Sequence, residues 1–77
     1  MKKRNQKYLD AFGKNLKDLI DSKGLTAEHV AANGFLETKQ VYRVINGEHS
    51  ATLSVLYSIA KGLDIHPRNL FDFDFTD

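Results

Sequence analysis

Apolar and polar positions repeat with the period of an α-helix through most of the chain, most clearly between Thr26 and Gly47. Near the end of this stretch, three apolar residues share one helical face: Val41, Val44 and Ile45. The opposite face carries two cations and an amide along one line: Lys39, Arg43 and Asn46. The stretch therefore predicts two short helices joined by a tight turn, the second of which packs one side into a core and presents a basic line on the other.

Caps and breaks divide the chain into five predicted helices, which together make an all-α domain. Lys23-Gly24 ends the first helix, Asn33-Gly34 breaks the second because both residues tolerate positive φ, and Gly47 ends the third. The N-cap residues of the second and fourth helices are Thr26 and Thr52. The predicted helices are residues 8–22, 27 to about 33, 37 or 38 to 46, 52 to about 62, and a short helix that opens at Pro67.

The segment after the last helix alternates phenylalanine with aspartate, which is the period of a β-strand. A single strand leaves its backbone hydrogen-bonding groups unpaired. Three arrangements resolve this: pairing with a second subunit, folding of the aromatic side chains onto the core, or disorder. We expect the first two together, with three aromatic residues at a dimer contact: Phe71, Phe73 and Phe75.

The chain has 77 residues, enough for one small domain. A domain of this size buries only roughly 60–65% of its unfolded surface. Because it has no cysteine, close helix packing must supply the core, and Gly13 inside the first helix indicates a close neighbouring helix. No apolar run suits a membrane span or a signal peptide, which makes the cytoplasm the expected location.

The net charge of +1 hides an uneven distribution. Residues 1–43 contain nine Lys and Arg and five Asp and Glu, whereas residues 44–77 contain two and five. Residues 1–7 are polar and basic without apolar period, which predicts a flexible basic arm. A basic half that includes the amphipathic helix indicates a polyanionic partner, although charge alone fits an ordinary solvated surface equally well.

Several short segments follow one another in a characteristic order: FGKNLKDL at 12–19, KGLT at 23–26, VA at 30–31, VYRV at 41–44, NG at 46–47, LSVL at 53–56 and AKGLDIHP at 60–67. Together they resemble the lambda-repressor-like helix-turn-helix family of Cro, C1 and XRE-type regulators, over about residues 10–71. The resemblance implies a compact five-helix domain at 8–71 and a short extended tail at 72–77. It also implies a bacterial or phage protein of the cytoplasm, associated with the nucleoid.

Four features depart from the usual pattern of that family. Ala27 replaces the Gln that usually follows the cap of the second helix, and the usual apolar-then-Gly turn reads Gly34-Phe35. The cap of the third helix falls at Glu37 in place of Ser or Thr. An Arg–Glu pair of many members is replaced by Ile20 and Ile45. Because loss of both charges leaves neither one unpaired, we predict that these isoleucines touch in the core.

The resemblance implies a sequence-specific DNA-binding regulator, most often a repressor, that acts as a homodimer with its third helix in the major groove. The positions that match base-reading ones are Thr38, Lys39, Gln40, Tyr42 and Arg43. Those that match phosphate contacts, or lie in the loop beside them, are Thr26, Asn46, His49 and Ser50. Arg43 suits guanine, Lys39 guanine or phosphate, and Gln40 adenine.

Catalytic and metal-binding patterns are absent from the sequence. The three histidines lack metal-ligand spacing, and there is no Ser-His-Asp set or glycine-rich phosphate loop, so we expect no enzyme activity, metal, cofactor or small-molecule ligand. The alternative function is a protein-interaction or antitoxin-like module on the same fold, with its affinity in the Phe-rich tail. Arg43→Ala should abolish the first function, and deletion of residues 72–77 the second.

Overall fold

The computed structural model describes residues 5–76, which form four α-helices and one 3₁₀ helix. The elements are α1 Gln6–Ser22, α2 Ala27–Gly34, α3 Thr38–Ile45, α4 Leu53–Leu63 and the 3₁₀ helix Pro67–Phe71. No strand occurs among the described residues. The all-α prediction is confirmed, but the expected fifth α-helix is a 3₁₀ helix. The segment is only five residues long, and 3₁₀ helices occur as such short pieces and connectors.

The predicted caps of the helices are present. The Thr26 hydroxyl accepts the His29 N–H at 3.1 Å, and the Thr52 hydroxyl accepts the Val55 N–H at 3.2 Å. After α3, Gly47 adopts a φ of 71°, as expected for a glycine that terminates a helix. The bounds of α2, α3 and α4 therefore follow from local signals in the sequence to within one residue of the structure.

The first helix begins earlier than predicted. The side chain of Asn5 accepts the Tyr8 N–H at 2.9 Å, so Asn5 is the N-cap and α1 starts at Gln6. Gln6 and Lys7 therefore belong to α1 and not to a flexible arm. The remainder of the predicted arm, residues 1–4, lies outside the described residues.

Every helix contributes to one small core. Its buried apolar residues are Phe12, Leu16, Ile20, Ala27, Val30, Ala31, Val41, Val44, Ile59, Ala60, Leu63 and Leu70. Ile20 lies within this core, while Ile45 is half-buried and packs against it. Both isoleucines line the same surface depression between α1 and α3. The two positions are thus apolar and adjoin the core, where neither leaves a buried charge.

Three glycines bring helices into close backbone contact. A Cβ atom at Gly34 would collide with the Ser58 carbonyl, and one at Gly62 would collide with the Val30 carbonyl, so α2 and α4 cross with almost no side chain between them. At Gly13, a Cβ would collide with the last carbonyls of α3. The close neighbour predicted for Gly13 is therefore α3.

The turn between α2 and α3 differs from the prediction. Gly34 stays helical because it is needed for the contact with α4, and α2 ends one residue later than expected. Phe35 takes the left-handed conformation instead, with φ 60° and ψ 42°. Its side chain points outward and is 86% exposed. Here the contact between helices, and not the intrinsic freedom of Asn33-Gly34, decides where the chain turns.

The aromatic tail folds back on α1 of the same chain. The rings of Phe73 and Phe75 lie 5.6 Å and 5.0 Å from the Tyr8 ring, and the Phe71 ring lies 5.1 Å from that of Phe12, measured between centroids. The strand predicted from the alternation is not formed. Of the three arrangements considered for this segment, the structure shows the packing of its aromatic rings onto the same subunit. A pairing of tails between two subunits stays a prediction.

Candidate nucleic-acid interface

The outward face of α3 is polar, basic and open to solvent. Val41 and Val44 are buried, whereas Lys39, Tyr42 and Arg43 are exposed on the other side of the same short helix. Asn46, the C-cap of α3, is exposed beside them. The structure thus brings together the line of two cations and an amide that the periodicity predicted.

Two of the residues predicted to read bases are less accessible. Thr38 and Gln40 are half-buried in the first turn of α3. The Gln40 side chain accepts the Glu37 backbone N–H at 3.0 Å, so its carbonyl oxygen is used to cap the helix. The spacing Glu37-Thr38-Lys39-Gln40 carried this signal, because a Gln three residues after the cap is typical of a capping box.

Tyr42 is linked to the preceding helix. Its hydroxyl donates to Glu28 Oε2 at 3.1 Å, which joins α3 to the first turn of α2. This hydrogen bond to the carboxylate, and the negative charge of Glu28, raise the pKa of Tyr42 above its usual value. Glu28 therefore belongs to the site, although sequence reasoning did not include it. Its partner lies 14 residues away, so no local pattern could have identified the pair.

The start of α2 presents backbone N–H groups beside this pair. Thr26 is exposed and uses its hydroxyl oxygen as the cap, which leaves the hydroxyl proton free to donate. Ala27 is buried in the core, and its methyl group cannot reach outward as a Gln side chain would.

The end of α3 is held by Gln6, a residue that the sequence pattern predicts to lie in the basic arm. Gln6 Nε2 donates to the Gly47 carbonyl at 2.7 Å and to Asp10 Oδ1 at 2.8 Å. Together with the Gly13 contact, this bond holds the C-terminal end of α3 against α1. Gln6 is separated from Gly47 by 41 residues, which explains why the sequence pattern does not reveal it.

The remaining predicted residues lie in the loop after α3 and in the aromatic tail. His49 and Ser50 are exposed in the loop after α3, where they line an apolar cleft together with Tyr8 and Phe71. The aromatic tail packs on α1, and Phe71 also borders this loop. The described residues contain no group of three or more His, Cys, Asp and Glu that could hold a metal ion. None of the described helices is long and apolar enough to cross a membrane.

Two short helices at a tight turn, the second exposing a basic face, define a helix-turn-helix domain. The solved structures that share its fold include a controller protein and a transcriptional regulator. The high-resolution crystal structure of the restriction-modification controller protein C.AhdI from Aeromonas hydrophila has a TM-score of 0.79 and 36% sequence identity, over 83% of this chain and 97% of that chain. An HTH_3 family transcriptional regulator from Vibrio cholerae has a TM-score of 0.77 and 26% identity, over 83% of this chain and 36% of that chain.

No protein-family model and no curated protein sequence matches this chain. The sequence identity to the controller protein, over most of both chains, is nevertheless sufficient to show that the two proteins belong to one family. The chain belongs to the Cro/C1-type helix-turn-helix family, as its sequence segments had indicated.

Proposed function

We propose that this protein is a sequence-specific DNA-binding transcriptional regulator, a repressor, which acts as a homodimer with α3 in the major groove. The observation that carries the proposal is the exposed line of Lys39, Arg43 and Asn46 on a helix whose other face is buried. The similarity of this chain to a restriction-modification controller protein and to a transcriptional regulator also supports the proposal.

Some side chains of α3 contact bases, and others stabilise the helix itself. Arg43 forms a bidentate pair with guanine, and Lys39 reaches guanine or phosphate. Thr38 and Tyr42 lie at the edges of the contact. Gln40 acts mainly through the cap of α3, because its oxygen already accepts the Glu37 N–H. For adenine recognition, Gln40 keeps its amide N–H₂ group and the second lone pair of its oxygen.

Contacts to phosphate flank the helix. The free hydroxyl proton of Thr26, the N–H groups at the start of α2 and the amide of Asn46 are suited to phosphate oxygens. His49 and Ser50 in the loop after α3 add weaker contacts.

Affinity depends on dimerisation because acidic residues lie among these contacts. A large share of the binding free energy in protein–DNA complexes comes from neutralising phosphates. Glu28 in the first turn of α2 and Glu37 at the N-cap of α3 oppose such neutralisation, which limits what one subunit can contribute. The dimer contact includes Phe71, Phe73 and Phe75, and Phe71 at the end of the 3₁₀ helix remains 46% exposed after packing on α1.

The test is selection of duplexes from a random library, followed by binding of an enriched site as a function of salt. We expect an enriched near-palindrome, with affinity that falls steeply as salt rises. Arg43→Ala should weaken binding to that site by about 5- to 150-fold, the range of one good bidentate contact. Arg68→Ala is the matched control, since it removes the same charge from the exposed 3₁₀ helix and should leave specificity unchanged.

The alternative, a protein-interaction module, predicts the opposite outcome. In that case no site would be enriched, and Arg43→Ala and Arg68→Ala would behave alike. Deletion of residues 72–77 would then abolish function, whereas in a DNA-binding dimer it would weaken binding only through the monomer–dimer equilibrium. Sedimentation of the full chain and of the deletion, each with and without the selected duplex, separates the two possibilities.

A further inference from the structure

The hydrogen bond between Tyr42 and Glu28 fixes more than the position of the tyrosine ring. The hydroxyl donates to Oε2 at 3.1 Å, and Tyr42 is still 42% exposed, so its oxygen can be reached from outside. Glu28 lies in the first turn of α2, where the helix dipole favours a negative charge. The pair therefore consists of a neutral phenol and an ionised carboxylate at neutral pH.

A phenol has one proton to donate and lone pairs with which to accept. In this pair the proton is directed to a carboxylate, which is a stronger acceptor than a neutral oxygen. The raised pKa of Tyr42, caused by that bond, keeps the proton in place. Toward any third partner, the Tyr42 oxygen is consequently an acceptor and not a donor.

The charges around the pair also disfavour a contact between Tyr42 and a phosphate. Lys17, the nearby cation that acts electrostatically on Tyr42, is bound to Asp21 at 2.7 Å. Its charge is thus already matched by a carboxylate. A phosphate oxygen that approached Tyr42 would find no proton to accept from the hydroxyl and would meet the negative charge of Glu28. The Tyr42 hydroxyl is therefore unsuited to bind a phosphate oxygen of the DNA backbone.

The major groove offers partners of the complementary kind. Adenine presents the N6 amino group and cytosine the N4 amino group, whereas guanine and thymine present only acceptors or a methyl group there. An acceptor hydroxyl can bond adenine or cytosine while it keeps its bond to Glu28. To bond guanine, thymine or phosphate, it would have to give up that bond.

From this geometry, and on the basis of the proposed function, we infer that Glu28 is a positioning residue that makes Tyr42 select a base bearing an amino group. One position of each half-site should thus favour adenine or cytosine on the strand that faces Tyr42. Glu28 contributes by orienting the hydroxyl proton, and Tyr42 makes the contact.

The test compares duplex selections with the wild type, Tyr42→Phe and Glu28→Gln. Phenylalanine removes the acceptor, so the preference at one half-site position should fall by about fivefold to tenfold, as for one lost hydrogen bond. Glutamine can donate its amide N–H to the Tyr42 oxygen, which frees the hydroxyl proton for guanine or thymine. Glu28→Gln should therefore relax or reverse the preference at that same position. The bases read by Lys39 and Arg43 should stay unchanged in both variants.

Asp64→Asn is the matched control for charge, since it converts an exposed carboxylate to an amide at the end of α4. It should preserve the base preference of the wild type. A second readout uses the free protein: the pKa of Tyr42, followed by its absorbance against pH with Tyr42→Phe as the blank, should fall in Glu28→Gln. Thermal unfolding of each variant confirms that the fold is retained.

The outcomes separate this inference from the proposed function. If the wild type enriches a site that needs Arg43, but neither Tyr42→Phe nor Glu28→Gln changes a base preference, the inference is wrong and the proposed function stands. A guanine or thymine preference that Tyr42→Phe removes would also overturn it. If the wild type enriches no site, the proposed function fails and the inference fails with it.

Discussion

Phe35 occupies a backbone conformation that an L-amino acid adopts only at a cost. A left-handed conformation is about 1–2 kcal/mol unfavourable for a residue with a Cβ atom, whereas glycine adopts it freely. Burial cannot offset this cost, because the Phe35 side chain is 86% exposed. Its ring lies 5.9 Å from Lys61 Nζ, and an exposed cation–π contact at that distance contributes about 0.5 kcal/mol or less.

Phe35→Gly should therefore stabilise the protein. The substitution removes the strain of about 1–2 kcal/mol, which stabilises the folded state. Two contributions oppose this gain: the weak ring contact is lost, and the greater freedom of glycine stabilises the unfolded state by about 0.4–1 kcal/mol. The balance favours the variant by about 0.5 kcal/mol. Phe35→Ala keeps the strain and loses the ring, so we expect it to be about 1 kcal/mol less stable than Phe35→Gly. For a domain of this size that difference corresponds to about 4–8 °C in the unfolding temperature.

Urea unfolding of the two variants, with thermal unfolding alongside, measures this difference directly. If Phe35→Ala is as stable as Phe35→Gly, the left-handed conformation carries no strain and the reasoning fails. The double variant Gly34→Ala/Phe35→Gly is a further check, because it restores the order that is usual in the family. It should be less stable than Phe35→Gly alone by about 1–3 kcal/mol, since the new Cβ would collide with the Ser58 carbonyl.

Three further predictions concern other contacts. Gly62→Ala should destabilise the protein by about 1–3 kcal/mol through its collision with the carbonyl of Val30, and a loss below about 0.5 kcal/mol in urea unfolding would argue against the close crossing. Phe73→Ala should lower stability by about 1 kcal/mol at every protein concentration, because its ring packs within one subunit; a concentration-dependent loss would indicate packing between subunits. The hydrogen bond of Tyr42 stabilises the wild type below pH 10, and this stabilisation is lost as the pH rises through the raised pKa of Tyr42. Tyr42→Phe should therefore be less stable than the wild type below pH 10, and the free energies of urea unfolding of the two proteins should converge at high pH.

The helices were predictable because their signals are local. The apolar period and the caps at Thr26 and Thr52 gave α2, α3 and α4 nearly as they are. The turn was not predictable in this way. Both Asn33 and Gly34 tolerate positive φ, but Gly34 must stay helical where α2 touches the backbone of α4. That contact pairs residues far apart in sequence, and it moves the strained conformation to Phe35.

The candidate site shows the same division. Periodicity alone predicted that Lys39 and Arg43 share an exposed face of α3, and the structure places them there. The roles of Gln6 and Glu28 depend on partners 41 and 14 residues away, so they required three-dimensional information. The aromatic tail had the period of a strand, but that period equally suits rings that fold back on an aromatic surface of α1.

The two faces of α3 are specified by separate residues of the same helix. Val41 and Val44 determine that it folds and where it packs, while exposed side chains such as Lys39 and Arg43 can be exchanged with small effects on stability. A lineage of such proteins could thus acquire new DNA targets by a few substitutions and keep one scaffold. Tyr42 is an exception: it is coupled to Glu28, so changes at these two positions should occur together.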